Sequence, residues 1–588
     1  MSTPGPLQAG QAGVGRTGPD NADLVAAPLP GQPGRRRGRH RGDKRGGRRS
    51  SSIARSSSVM AVGTLVSRVT GMARTLTQAY ALGAVGLADA YNVANSLPNA
   101  VYNLMLGGIL SSVIVPLLVS AAGRDRDRGE AYDQRMFTLL TVALLAITVA
   151  ATLAAAPLVY LYSGPVTGPE QHLMVIFAYF FIPQIFFYGI SSLAGAVLNA
   201  RGSFAAPMWT PVVNNVVVIA VLLGFVAIAG FGVGPATITD GEVRLIGLGT
   251  TLGVAAQTAA LVPALGRAGF RWRPRFDFRR TELSQIWHMA GWMFGYIATT
   301  QIAVLVTTRV ANQASVLASK ARVGYGAGYT PFAYAWQLFQ MPYAIVGISV
   351  ITALLPRMSA HAAGRRPDLV RADFSAGLRL ASVIVVPSSL VLAVLGPSLA
   401  EVLLAHGATS LASARYMGEV FAALCLGLTP YTMFQLQLRV FYALHDSRTP
   451  ALIGVITMIV NVAANYAALA LLPPGYIVAG MGLGFGLGNL AGAALAWRLL
   501  GRRLGGLGGR MIGPSLLRMH AAAIPAAALA LAVTLAAGSA LPQGRADALI
   551  TATTAGCAAT CLYLLLARRL RVTEVTELLA AGAARLRR

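Results

Sequence analysis

From Ser56 onward, long apolar runs alternate with short polar loops. The pattern predicts membrane-crossing helices near 57–83, 88–120, 136–162, 171–200, 204–231, 244–266, 283–311, 328–355, 374–396, 414–442, 450–472, 475–499, 517–540 and 546–567. Each run is long enough to cross about 30 Å of hydrocarbon at about 1.5 Å per residue. The expected fold class is therefore all-α, a polytopic membrane protein of about fourteen transmembrane helices in one bundle.

The loops between the runs carry an orientation signal. Arg124, Arg126 and Arg128 follow the second run, and Arg267 to Arg280 hold six arginines after the sixth. Arg357, Arg365, Arg366 and Arg371 follow the eighth, Arg502, Arg503 and Arg510 the twelfth, and Arg568, Arg569 and Arg571 the last. The intervening loops GAVGLA, YSGPVTGPEQH and LPPGY contain no Lys or Arg, and Lys320 with Arg322 is the main exception. This alternation predicts both termini on the cytoplasmic side of a bacterial plasma membrane.

Composition narrows the class further. Of 588 residues, 55% are hydrophobic and only 12% charged, with a mean hydropathy of +0.60. Such a chain needs a bilayer as solvent. The net charge of +27 invites a nucleic-acid reading, but the basic residues sit in a tail and in short loops, so no nucleic-acid partner is expected. Residues 1–55 form a Gly-, Pro- and Arg-rich tail with no apolar periodicity, expected to be disordered and not a secretory signal. Its run RRRGRHRGDKRGGRR supports two readings, a topology signal or a surface for anionic lipids and cell-wall synthesis or regulatory proteins. Cys425, Cys557 and Cys561 lie in apolar runs and read as small packing residues.

Ionisable groups in a span cost about 2.5–3.5 kcal/mol each, so those present point to cavities or partners. Arg68 and Arg74 stand in SRVTGMAR, six residues apart with Gly71 between them. Arg68 is close enough to a helix end to reach headgroups; Arg74 lies deeper and fits a cavity better. Asn92, Asn95, Asn99 and Asn103 share one face of the second span, which Asp89 starts and Pro98 interrupts. The stripe suits either interhelical hydrogen bonding or the wall of a wet cavity. Further along stand Arg309, then Tyr334, Gln337 and Gln340, then Tyr431, Gln435 and Arg439 at fourfold spacing, with Asp446 beyond them. Arg439 and Asp446 read equally as helix-end anchors. A cationic, amide-lined cavity suits an anionic headgroup, because guanidinium pairs with phosphate oxygens.

Catalytic chemistry finds little support. There is no GxxxxGK[ST] loop and no HExxH among the seven histidines, so no cofactor, metal or ATP hydrolysis is expected, and no enzyme. GLGFGLGNLAG lies inside an apolar run without a βαβ setting and reads as a glycine packing face.

SRVTGMAR followed by ADAYNVANSLPN resembles the start of the MurJ (MviN) lipid II flippases, members of the multidrug/oligosaccharidyl-lipid/polysaccharide exporter superfamily. AVLNARGSFAAPMWTPVVNN, LFQMPYAIVGISVITALLPRMS and RVFYALHDSRTP follow in the family's order. The resemblance implies fourteen helices in two lobes around a central cationic cavity. It implies an N-terminal lobe at 56–266, a linker at 267–282, a C-terminal lobe at 283–500, an added helix pair at 501–570 with a groove for a polyprenyl tail, and a C-terminal tail at 571–588. The implied activity is alternating-access export of undecaprenyl-pyrophosphate-linked disaccharide-pentapeptide, with Arg68, Arg74 and Asp89 as cavity or gate residues. Two basic positions of the family pattern are absent: Tyr102 and Asn103 follow LPN, and Trp336 and Gln337 stand where an Asp-Arg pair is expected. Arg309, with Lys320 and Arg322, is expected to restore positive charge near the outer gate. Competing readings are export of another lipid-linked glycan or of a drug-like cation, and a non-transporting scaffold for wall synthesis. A cationic cavity disfavours the cationic drug.

Overall fold

The computed structural model describes residues 45–104, 130–276, 280–345, 349–540 and 544–577. The first 44 residues of the tail, the second half of the expected second span and the C-terminal tail beyond 577 lie outside them. Residues from Arg55 onward form one compact unit.

All regular structure among the described residues is helical. The N-terminal part comprises α1 (Arg45–Leu82), α2 (Leu87–Leu104), α3 (Glu130–Leu153), α4 (Ala155–Ser163), α5 (Pro169–Phe181), α6 (Gln184–Ala200), α7 (Ala205–Ala229), α8 (Asp240–Ala259) and α9 (Val262–Arg267). Then come α10 (Arg280–Lys320), α11 (Tyr329–Tyr343), α12 (Ser349–Ala363), α13 (Pro367–Leu404), α14 (Leu411–Leu426), α15 (Leu428–Ala443), α16 (Arg448–Leu471) and α17 (Ile477–Arg503). The last pair is α18 (Gly509–Ala540) and α19 (Arg545–Arg569). α1 is helical from Arg45, inside the stretch expected to be irregular, and runs unbroken through Gly71.

Several expected spans are broken helices. The run 136–162 divides at Ala154, 171–200 at Pro183, and 414–442 at Gly427, where α14 and α15 bend by 48°. Proline removes an intrahelical donor and glycine tolerates the turn, which accounts for the breaks at Pro183 and Gly427.

Ten helices or joined helices among the described residues are long and apolar enough to cross a membrane, or eleven if the bent pair counts as one span. Outside that set are α1, α2, α4, α11 and α12. Of these, α1 carries Arg68 and Arg74, α2 the asparagine stripe, and α11 Gln337 and Gln340. Large apolar side chains such as Leu153, Ile228, Leu471 and Leu517 stand exposed around the bundle, as they do where lipid is the solvent.

Buried apolar residues fall into separate clusters, one in each of two lobes, with Ala79 near the end of α1 and Ala84 just past it joining the C-terminal one. One cluster unites Leu87, Tyr91, Phe177, Phe181, Leu222 and Ile246 from α2, α5, α7 and α8. Another unites Phe339, Phe374, Met417, Phe441 and Met481 from α11, α13, α14, α15 and α17. The hairpin of α18 and α19 packs its alanine face (Ala522, Ala526, Ala555, Ala559) on Val383 and Val386 of α13. α17 behaves as the glycine packing face its sequence suggested. A Cβ at Gly486 or Gly488 would stand 3.1 Å from the Gly427 Cα or 2.9 Å from the Thr457 carbonyl oxygen, so α15 and α16 approach at backbone distance. Of the cysteines expected as packing residues, Cys425 is buried, but Cys557 and Cys561 are exposed, on the side of α19 turned away from α13.

Both lobes close their arginine-rich ends internally. In the N-terminal lobe Arg201 pairs with Asp133 at 2.9 Å. Gln134 clamps the segment that follows α9, its Nε2 donating to the Arg271 carbonyl and its Oε1 accepting from the Arg273 N–H, each at 2.6 Å. In the C-terminal lobe Asp446 accepts from the Thr449 N–H at 3.0 Å and hydroxyl at 2.6 Å, and pairs with Arg503. Burial favours the neutral Asp446, yet the Thr449 hydrogen bonds and the Arg503 guanidinium together hold its carboxyl below the usual range. A depressed carboxylate pKa contributes stability above the unfolded value, which is lost as pH falls through the folded value. Thermal unfolding in detergent is therefore expected to show a loss of stability below about pH 4 that Asp446→Asn reduces.

Candidate functional site: a cationic cleft between two lobes

Contacts between the lobes concentrate at the end opposite the arginine-rich loops. There the Ala408 N–H donates to the Tyr80 carbonyl at 2.8 Å and the Thr409 hydroxyl to the Ala79 carbonyl at 2.6 Å. Asp89 opens α2, and its Oδ1 accepts from the Thr330 N–H at 2.8 Å, which ties α2 to the first turn of α11. Asn92 donates to the Thr330 hydroxyl at 3.2 Å. Arg309 and Asn312 of α10 donate to the Leu161 and Tyr162 carbonyls at the end of α4, at 3.2 and 3.1 Å. A cation on the last carbonyls of a helix is favourably placed. These bonds form a seal built largely on backbone acceptors and donors.

Further towards the arginine-rich end, the two lobes present guanidiniums. α1 is fixed to α7 by Asn215, whose amide donates to the Ser67 carbonyl at 3.3 Å and the Thr70 hydroxyl at 3.1 Å. Gly63 allows the same approach, because a Cβ there would meet Trp209 Nε1 at 2.6 Å. Anchored in this way, α1 carries exposed Arg68 and half-buried Arg74. Arg74 and Asn214 face the Tyr188 hydroxyl. Arg439 of α15 lies among Tyr296, Tyr343, Tyr431 and Tyr442, 5.8 Å from the Tyr442 ring centroid. Its Nε is buried and has no hydrogen-bond partner. Tyr343, at the end of α11, is faced by both Arg439 and Arg68. Among the described residues none of Arg68, Arg74 and Arg439 pairs with an acidic side chain.

The expected site residues thus separate into groups. Arg68 and Arg439, from different lobes, both lie within electrostatic reach of Tyr343, and Gln340 lies one turn before Tyr343, half-buried. Gln337 is exposed on α11. Asp89 and Arg309 belong to the seal rather than to the guanidinium group. On α2 the asparagine stripe is not uniform: Asn95 is buried, Asn99 turns its amide back to the Asn95 carbonyl at 2.7 Å, and Asn103 is exposed. Lys320 and Arg322 are exposed at and just past the end of α10. Sequence reading missed Tyr188, Tyr296, Tyr343 and Tyr442. The spacing of Tyr431, Gln435, Arg439 and Tyr442 along one helix face was the available signal for the last.

A family model described as "Lipid II flippase MurJ" matches residues 78–545. The lipid II flippase MurJ of Burkholderia cenocepacia is 29% identical over 443 residues, covering 73% of this chain and 80% of that protein. A probable lipid II flippase MurJ of Rhizobium meliloti is 29% identical over 502 residues, covering 82% and 87%. Among solved structures, a lipid II flippase MurJ in an inward closed conformation superposes with a TM-score of 0.68 at 16% identity, over 87% of this chain and 99% of that one. An inward-facing multidrug resistance transporter of the MATE family superposes with a TM-score of 0.60 at 15% identity, over 74% and 94%. The chain belongs to the MurJ lipid II flippase family.

Proposed function

We propose that the protein moves lipid II, a polyprenyl-pyrophosphate-linked glycopeptide, from the inner to the outer leaflet of the bacterial cytoplasmic membrane by alternating access. The observation that carries this reading is that Arg68 and Arg439, from different lobes, both lie within electrostatic reach of Tyr343 and have no acidic partner among the described residues. Unpaired guanidiniums between lobes favour a ligand that brings its own negative charge, and a pyrophosphate offers oxygens to both sides at once. Binding then draws the lobes together at the arginine-rich end. The seal at the other end has to part for release, and its hydrogen bonds are few enough to exchange with water. Arg74 and the α2 amides serve as further cleft contacts, and the groove beside α18 and α19 takes the polyprenyl tail. The arginine-rich end faces the cytoplasm by the positive-inside rule, with both termini there. The protein acts as a transporter and not as an enzyme, and its basic tail offers a surface to cell-wall synthesis proteins.

A second reading, export of a different lipid-linked glycan, shares the pyrophosphate chemistry and differs only in the sugar. Complementation of a strain conditionally depleted of its own lipid II flippase tests the first reading. Rescue by this chain supports lipid II as cargo. Lysis despite normal membrane abundance would contradict it.

A further inference from the structure

A second group of arginines lies outside the cleft, where α18 and the segment after α19 meet α13. Arg379, Arg510, Ser515, Arg518, Arg571 and Glu574 surround a cavity of about 350 Å³. Arg379 donates to Glu574 at 2.6 Å, and Ser515 donates to both oxygens of the same carboxylate at 3.4 and 3.3 Å. Four guanidiniums therefore face one carboxylate, an excess of three positive charges, and the carboxylate is already engaged. The Arg379 Nε is buried there without a hydrogen-bond partner. Arg510, Arg518 and Arg571 have exposed side chains at the mouth. The first turn of α18 adds the positive end of a long helix dipole beside them.

We propose that this cavity binds the phosphate of an anionic membrane phospholipid, independently of the cargo in the central cleft. Guanidinium forks match phosphate oxygens, and the helix start supplements them. A lipid is favoured over a free ion by what leads away from the cavity. Met511, Leu517, Ile524, Leu531 and Leu535 are all exposed along α18. Leu517, Ile524 and Leu531 recur every seven residues and so share one face, a track for acyl chains that starts at the arginines. Phosphate-reading side chains at a membrane interface, continuous with an apolar track, are what a glycerophospholipid presents in complement.

The test is titration of the full-length protein in zwitterionic detergent with phosphatidylglycerol, read by native mass spectrometry. Wild type is compared with R510Q/R518Q/R571Q and with R365Q/R366Q/R502Q, which removes the same charge elsewhere. Ser515→Phe fills the cavity while keeping every arginine, so it reports on the site even if the triple variant misfolds. The expected result is at least tenfold weaker binding of one lipid in the triple variant and in Ser515→Phe, with the distant variant unchanged. Equal weakening in the distant variant, or unchanged binding in Ser515→Phe, overturns the site. Displacement of the lipid by inorganic phosphate at matching concentration would identify a free-anion site and overturn the lipid assignment.

Discussion

Arg74→Ala is expected to abolish rescue of flippase-depleted cells at wild-type membrane abundance, while Arg74→Lys retains part of it. Arg74 is half-buried on α1, faces the Tyr188 hydroxyl and has no acidic partner among the described residues. Removing it leaves no buried carboxylate unpaired, so the cost to folding is small. The cost to an anionic ligand is a lost charge-assisted hydrogen bond, about 1.5–3 kcal/mol, or roughly 10- to 150-fold in affinity. Lysine keeps the charge and loses the planar fork, which places it between the two. Survival counts with abundance checked by blot measure this, and full rescue by Arg74→Ala would remove the residue from the transport path.

Joining Gly83→Cys with Ala408→Cys is expected to arrest transport under oxidising conditions and release it on reduction. A Cβ at Gly83 would stand 3.5 Å from the Ala408 Cβ, at the short end of the range a disulfide requires. The two positions lie on different lobes, at the seal formed by Tyr80, Ala408 and Thr409. Gly83 has φ of +79°, a conformation that strains any side chain, so Gly83→Cys alone is the necessary comparison. Loss of rescue in the oxidised double variant, with rescue kept by each single variant and restored by reductant, shows that this end must open. Full rescue by quantitatively cross-linked protein would contradict alternating access through it.

What was legible in the sequence followed from where each kind of signal resides. Apolar runs and arginine alternation are local, so the helical membrane class could be read directly, and α17 announced its glycine face in GLGFGLGNLAG. Helix breaks at Pro183 and Gly427 were signalled by residue type, yet span-length windows average over them. The site was only half legible. Arg68, Arg74 and Arg439 stood out because charge is rare in apolar runs, whereas Tyr188 and Tyr343 look like ordinary aromatic residues of a span. Their significance depends on which lobe faces which, and no spacing along one helix encodes that. Asp89 and Arg309 show the same limit. Asp89 was expected in the cavity or its gate and Arg309 near the outer gate, but their charge did not name their partners, the Thr330 amide and the Leu161 carbonyl, backbone groups brought near by the fold.

The proposed route for lipid II across the membrane is the cleft holding Arg68, Arg74 and Arg439. The most direct measurement is the amount of lipid II accessible to a membrane-impermeant probe on the outer leaflet of flippase-depleted cells expressing the protein. Wild type is expected to restore accessible lipid II, and Arg74→Ala and Arg439→Ala at equal abundance to leave it inside. Restoration by both variants, or none by a well-inserted wild type, would contradict that route.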